Sequence, residues 1–382
     1  MTHRGDISAW HVATRQPVCL RWEHGRIASL GPASETPPPG LWLAPVLVDL
    51  QVNGYAGIDF QQDGLSLESL VHATRRLRAA GCGSWLLTLI TDAWPGMMAR
   101  LRHLRRLRSE SDELQRAIAG WHIEGPFLSD QPGFCGAHDA AWMRDPSLES
   151  IDELRDITGD DPVLLTLAPE RPGALEAIRR AVSLGLRVSL GHTDASQARL
   201  AEAVAAGASG FTHLGNGCPG ELNRHDNILW RVFETPGLIA GVIPDKAHVS
   251  PALFRLIHRT LGRGSVYYVT DAMAAAGAPP GRYALGRLEL DVGPDQVVRL
   301  PGKFNFAGSA LRPIDGVFRA AEMLGCPWQE VWGGFSETPA RLMRFPWGLE
   351  VGAPADFCCL ECSADNRLQR LDTFIAGKAA ED

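Results

Sequence analysis

The sequence predicts an α/β fold: a (β/α)8 TIM-like barrel carrying a small discontinuous β-sandwich built from both ends of the chain. Three observations predict it. Eight short apolar runs alternate with segments of helical periodicity between about residues 43 and 270. Within them, residues 186–217 repeat one design twice: Leu186, Val188 and Leu190 lead to Gly191-His192, and Gly210, Phe211 and Thr212 lead to His213, with Ala198, Leu200, Ala201, Val204 and Ala205 at helical spacing between. Strand-patterned segments at 7–30 and beyond 355 are left with no barrel partner.

In chain order, Val18, Leu20 and Trp22, then Glu23-His24-Gly25, then Ile27 and Leu30 read as a hairpin. Pro37-Pro38-Pro39-Gly40 breaks that pattern. The nearly continuous apolar run from Leu41 to Leu50 follows, as a strand buried on both faces would require. The eight expected barrel strands are 43–49, 84–89, 117–123, 163–168, 187–191, 210–213, 238–243 and 266–270. Helices are expected at 66–80, 96–109, 147–158, 173–184, 196–206 and 251–262, with weaker periodicity across 214–235. Residues 282–303 read as an inserted hairpin, and 313–325 and 328–343 as helices. Apolar runs at 355–362 and 371–376 return to strand character and are assigned to a small domain with the N-terminal hairpin. The expected division is 1–43 and 347–382 for the small domain and 44–346 for the barrel.

A barrel of roughly 250 residues plus an accessory domain fits a chain of 382. A hydrophobic fraction of 45% supplies the core, and the net charge of −7 provides no basic field for nucleic acid or an anionic membrane. The first ten residues lack a signal-peptide pattern, and no uncharged run spans a membrane, so a soluble cytoplasmic protein is expected. Eight cysteines in so long a chain do not suggest a disulfide scaffold, and the single CxxC, Cys359 to Cys362, reads as buried strand. The run RLRHLRRLR at 100–108 reads as a helix whose leucines face inward and whose arginines are solvated.

The chemistry gathers where the strands stop. Glu124, His192, His213 and Asp271 each end a predicted parallel strand, and the carboxyl-end rim is where such barrels hold their reactive groups. One carboxylate and two imidazoles form a ligand set for one divalent ion that leaves a position for water. Zinc is the first choice, and iron, manganese and cobalt accept the same set. Asp271 then remains as the base that takes a proton from water and delivers it to a leaving group. His122 shares a strand face with Glu124 and is ranked as a supporting residue.

The ordered motifs DLQVNGYAGIDF, HIEGPF, GAH, SLGHTDAS, THLGNG, VTDA, AGSAL and ETPARLM resemble those of the N-acetylglucosamine-6-phosphate deacetylases of the amidohydrolase superfamily. The resemblance implies hydrolysis of an acetamide on an amino sugar phosphate, with Glu124, His192 and His213 as metal ligands and Asp271 as the catalytic aspartate. It also implies substrate contacts from Ala137, His138, Asn216, Gly217, Arg224, Asp245, His248 and Phe306, with Arg224 and His248 at the phosphate. His138 would hold the carbonyl oxygen or a sugar hydroxyl. A homodimer sharing a phosphate-binding residue is the implied assembly. Where many amidohydrolases place His-x-His, this chain has Gln51-Val52-Asn53, which leads us to expect one tightly held metal. Further departures are Thr212-His213-Leu214-Gly215-Asn216-Gly217-Cys218, Pro244-Asp245-Lys246 and the segment 224–231. They are expected to reshape the sugar pocket and add a cation at Lys246. An unphosphorylated or galactosamine-type substrate, or another amide, is therefore the alternative.

Overall fold

The computed structural model describes residues 4–301 and 306–380. The chain opens with β1 (Arg4–His11), β2 (Pro17–Glu23), β3 (Arg26–Pro32) and β4 (Leu41–Pro45). These pair with the last strands, β18 (Phe357–Cys362), β19 (Leu368–Ile375) and β20 (Lys378–Ala379), in one seven-stranded sheet ordered β20-β19-β18-β4-β1-β2-β3. That sheet is folded over on itself. Trp22 on β2 lies 5.2 Å from Phe357 on β18 and 5.9 Å from Phe374 on β19, although three strand spacings of about 4.8 Å separate β2 from β18 along the sheet. Leu20, Ile27, Leu43 and Ala355 fill the space between the two halves.

The apolar run expected as one strand at 43–49 is two strands in two sheets. β4 stops at Pro45, and β5 (Leu47–Val52) starts the barrel. A proline has no N–H to continue a ladder, so the chain changes sheets there. A small hairpin of β6 (Gly54–Tyr55) and β7 (Ile58–Asp59) precedes α1 (Leu67–Ala79). Alternation then proceeds through β8 (Cys82–Ile90), α2 (Trp94–Ser109), α3 (Asp112–Ala117), β9 (Ile118–Glu124), α4 (Leu148–Thr158), β10 (Val163–Leu167), α5 (Ala174–Ser183), β11 (Arg187–Leu190), α6 (Gln197–Ala206), β12 (Gly210–Phe211), α7 (Ile228–Phe233), β13 (Ile239–Val242), α8 (Pro251–Leu261) and β14 (Val266–Tyr268). The strand order is β14-β13-β12-β11-β10-β9-β8-β5, with parallel pairing throughout. Asp49 stitches the seam: its carboxylate accepts Thr270 Oγ1 at 2.6 Å, while Asn53 N donates to Ala272 O at 2.7 Å.

The inserted segment is a three-stranded sheet of β15 (Gly281–Leu285), β16 (Leu288–Val292) and β17 (Val298–Arg299); the end of the expected hairpin, at 302–303, lies outside the described residues. α9 (Pro313–Leu324) follows. The helix expected at 328–343 is instead two short 3-10 turns, Trp328–Glu330 and Trp332–Phe335, and then α10 (Glu337–Met343). Gly333-Gly334 weakens helix there, and a Cβ at Gly334 would approach the Tyr268 ring to 2.4 Å, so the backbone itself packs on β14.

Side chains alternate along the barrel strands. Trp85, Leu87, Ile123 and Leu165 pack outward beneath the helices, and Leu86, Thr88, His122, Thr166 and Ser189 point inward. Above a lower apolar layer of Val48, Leu86, Leu164 and Tyr267, the inward residues form a hydrogen-bonded belt: Thr88 to His122 Nδ1 at 3.2 Å, His122 Nε2 to Thr166 at 2.8 Å, and Thr166 to Thr212 at 2.8 Å. Both nitrogens of His122 are thus engaged below the rim. All eight cysteines are free, and Cys359 and Cys362 are buried in β18, as their strand setting implies. Leu101, Leu104 and Leu107 are buried on α2, while Arg102, Arg105, Arg106 and Arg108 pair with acids. No helix among the described residues is long and apolar enough to cross a membrane.

Candidate active site

Three ligand-bearing residues meet at the rim. Glu124 is the last residue of β9, His192 stands two residues past β11, and His213 two past β12. The parallel register of β9 through β12 brings these ends side by side. His213 Nε2 lies 2.8 Å and His192 Nε2 3.4 Å from Glu124 Oε1, and the two Nε2 atoms are 3.2 Å apart. Atoms about 2.1 Å from a tetrahedral ion stand about 3.4 Å from one another, so this spacing fits a single cation. The ring of His192 is also set for that task. Its Nδ1 lies 2.8 Å from the carbonyl of Phe134, which only accepts, so Nδ1 carries a proton and Nε2 is the nitrogen that a bound cation would engage.

The backbone at these positions is constrained. His192, His213 and Asp271 all have positive φ, of 50°, 32° and 52°. Such conformations cost of order 1–3 kcal/mol each and are held only where the surroundings fix them. Two glycines fix His192: a Cβ at Gly136 would come within 2.8 Å of its Cε1, and one at Gly217 within 2.8 Å of its Nδ1. The loops after β9 and β12 therefore clasp the imidazole between bare backbone.

The charges are arranged by the same contacts. Burial alone would raise the Glu124 carboxyl, but hydrogen bonds from His192 and His213 and the nearby imidazole charges outweigh it and hold the group well below the usual range. Burial likewise disfavours charge on His213, and Glu124 reverses that shift upward. Asp271 is pushed up to about 6, first by burial and then by the charge of Glu124. Two amides from the Gln51-Val52-Asn53 segment close on these carboxylates. Gln51 Nε2 donates to both oxygens of Glu124 at 3.2 and 3.1 Å, and Asn53 Nδ2 donates to Asp271 Oδ1 at 2.7 Å.

A cavity of about 580 Å³ opens above these groups, within the range of small-ligand pockets. Asp271, Ala137, His138, Asn216, Gly217, His248 and Phe306 all line it. His138 Nδ1 faces Thr91 Oγ1 at 2.9 Å, and that hydroxyl donates to Glu124 O at 3.4 Å, so Nδ1 donates and Nε2 remains open toward Glu124, 3.9 Å away. Burial, followed by the charge of His192, lowers His138 to about 3 and keeps it neutral. Asp245 stands behind the wall and holds His248 Nδ1 at 2.6 Å, with Phe306 packed 5.0 Å from the His248 ring.

One expectation is corrected, and one expected residue lies apart from the cavity of its own chain. Lys246 adds no cation to the pocket: its φ of 71° turns it outward, and Nζ pairs with Glu322 on α9 at 2.6 Å. Arg224 does not line the cavity; it is exposed, and its carbonyl accepts the Trp230 indole N–H at 3.1 Å. Among the described residues, no arginine or lysine lines the cavity. Residues missed by sequence reasoning are the Phe134 carbonyl and Thr91, which aim two imidazoles, and Ile90 and Leu285, which give the wall an apolar side. Nothing in their residue types signals those roles.

No family model matches the chain. The N-acetylglucosamine-6-phosphate deacetylase of Vibrio furnissii is 30% identical over 344 residues, covering 89% of this chain and 83% of the relative. The chain belongs to that deacetylase family. Similarity extends to the N-acetylgalactosamine-6-phosphate deacetylase of Escherichia coli O157:H7, 31% identical over 328 residues, with 85% and 84% of the two chains covered. The solved structure of a mutant N-acetyl-D-glucosamine-6-phosphate deacetylase from Mycobacterium smegmatis, in complex with N-acetyl-D-glucosamine-6-phosphate, superposes with a TM-score of 0.88 at 28% identity, covering 99% of this chain and 100% of that one. The family supports a barrel rim used for amide hydrolysis, and the Glu124, His192 and His213 cluster is the described group suited to a metal.

Proposed function

We propose that the chain removes the acetyl group from an N-acetyl amino sugar phosphate, with N-acetylglucosamine 6-phosphate as the first candidate and acetate and the free amino sugar phosphate as products. The observation that carries this reading is the convergence of Glu124, His192 and His213 within ligand distance of one another, beside Asp271, at the floor of a sugar-sized cavity. A divalent cation, zinc by preference, would be held by those three residues and would polarise the acetamide carbonyl and acidify a water. Asp271 takes a proton from the attacking water through its free oxygen and returns it to the departing amine, since Asn53 occupies Oδ1. His138, with its Nε2 lone pair toward the cavity, accepts from a sugar hydroxyl. His248 reaches the anionic end of the substrate, steadied by Asp245.

In this reading the wall of Ile90, Leu285 and Phe306 packs against the apolar face of the ring, and Asn216 and Gly217 approach it by backbone and amide. The lack of a lining arginine among the described residues fits a homodimer in which a second copy of this chain, working in the cytoplasm, completes the phosphate contact. The test is a hydrolysis screen of N-acetylglucosamine and N-acetylgalactosamine, each with and without the 6-phosphate, run with metal analysis of the purified protein. Release of acetate from the phosphorylated sugars by metal-loaded protein is expected. Equal efficiency on the unphosphorylated sugars would move the substrate assignment, and no metal-stimulated release from any of the four would overturn it.

A further inference from the structure

A second cavity, of about 500 Å³, lies against α1 and α9 and shares no lining residue with the catalytic one. Among the described residues, its wall carries three guanidinium groups, Arg76, Arg312 and Arg319, against a single carboxylate, Asp315. Arg312 is spoken for, since it pairs with Asp315 through two contacts of 2.7 and 2.8 Å. Arg319 donates to the backbone carbonyl of Asp245 at 3.3 Å, a bond that neutralises no charge. Arg76 makes no ion pair or side-chain hydrogen bond among the described residues. Among the described residues, two guanidiniums thus face the cavity without a countercharge.

Polar donors point the same way. Arg312 stands at the N-cap of α9 and makes no capping hydrogen bond, so the positive end of a twelve-residue helix is presented at this wall. Tyr55 is 1% exposed, and its buried hydroxyl has no partner among the described residues. A Cβ at Gly277, another wall residue, would stand 3.3 Å from that oxygen, which places the hydroxyl at the cavity surface. Burial raises Tyr55 above its ordinary range, so the group is a neutral donor. Buried hydroxyls are rarely left without a partner, and this one, beside two arginines that make no ion pair among the described residues, calls for an acceptor.

We propose that this cavity binds a phosphate dianion, free or as the end of a small phosphate monoester, with Arg76 and Arg319 as its charge partners and the Tyr55 hydroxyl as a further donor. Two guanidiniums match two negative charges, and planar forks suit phosphate oxygens. The site is separate from substrate turnover. Through the Asp245 carbonyl, Arg319 joins it to the loop that holds His248.

The test is the unfolding midpoint of the metal-loaded protein as inorganic phosphate is titrated, with a hexose 6-phosphate as a second arm. Parent, Arg76→Ala and Tyr55→Phe are compared, and His248→Gln is included to remove the contribution of the catalytic cavity. A saturable rise is expected in the parent and in His248→Gln. The half-saturating concentration should be about ten-fold higher in Arg76→Ala, the loss of one charge-assisted hydrogen bond. Tyr55→Phe keeps the ring and should also weaken the response. A rise with inorganic phosphate identifies free phosphate as sufficient, and a rise with the hexose phosphate alone identifies the monoester. No saturable rise with either probe, or a rise undiminished in both Arg76→Ala and Tyr55→Phe, overturns the proposal.

Discussion

Asn53 donates its side-chain amide to Asp271 Oδ1 at 2.7 Å, across the seam where the first and last barrel strands meet. The bond leaves Oδ2 as the oxygen open to chemistry and sets its direction. Asn53→Ala should therefore lower kcat by about ten- to a hundred-fold, as the loss of orienting partners does, with metal content unchanged. Steady-state kinetics with metal analysis checks it; an unchanged kcat would show that Asp271 is aimed by other contacts.

Asp271→Asn keeps the hydrogen-bonding shape and removes the base. Turnover should fall by about two to four powers of ten, while the protein still takes up metal and substrate. Near-native turnover would remove Asp271 from the mechanism.

Glu124→Gln takes the negative charge from the point where His192 and His213 Nε2 converge. The variant should purify with little bound metal and lose activity, and chelation of the parent should reproduce that loss reversibly. Atomic absorption against activity provides the measurement, and a fully metallated variant would contradict the ligand assignment.

Gly217→Ala places a methyl about 2.8 Å from His192 Nδ1 at a φ of 61°. Both effects push the ring off its bond to Phe134. Metal affinity should drop by about ten- to a hundred-fold, with about 1–3 kcal/mol of stability lost. Competitive titration with a metal indicator would detect it, and unaltered affinity would mean that the loop yields instead of the ring.

His258, bonded to Tyr268 at 3.1 Å, is lowered to about 4 by burial and then by the charge of Arg263. The unfolded chain takes up this proton first, near pH 6.5, so the contribution is intact above that pH and is lost as pH falls toward 4. The loss is at most about 3 kcal/mol. Denaturant titrations between pH 4 and 7 should show a shallower decline for His258→Leu than for the parent; parallel curves would refute the assignment.

Much of the fold was readable because a parallel strand buried on both faces writes itself as an apolar run, and runs such as VLLTL at Val163–Leu167 have few other uses. The site was readable for a related reason: an ionisable residue directly after such a run has to emerge at the rim, as Glu124 and Asp271 do. What stayed hidden depended on partners far away in sequence. Leu41 to Leu50 is uniformly apolar, and only the pairing of β4 with β18 reveals that it serves two sheets. Lys246 looked like a pocket cation because its direction depends on Glu322, 76 positions onward. Gly333-Gly334 marks a weak point in a helix, but the Tyr268 ring that the backbone packs against at Gly334 is not legible from its neighbours in sequence.

The folded-over sheet that joins β1 through β4 to β18 and β19 has a consequence for how the molecule is made. Its first strands are synthesised some three hundred positions before the strands that complete them, so during translation they wait with an open edge while the barrel forms. Closing so long a loop is slow. The nascent chain is thus most vulnerable to sticking to its neighbours late in synthesis, and the strands from Phe357 onward serve as the latch that ends that exposure.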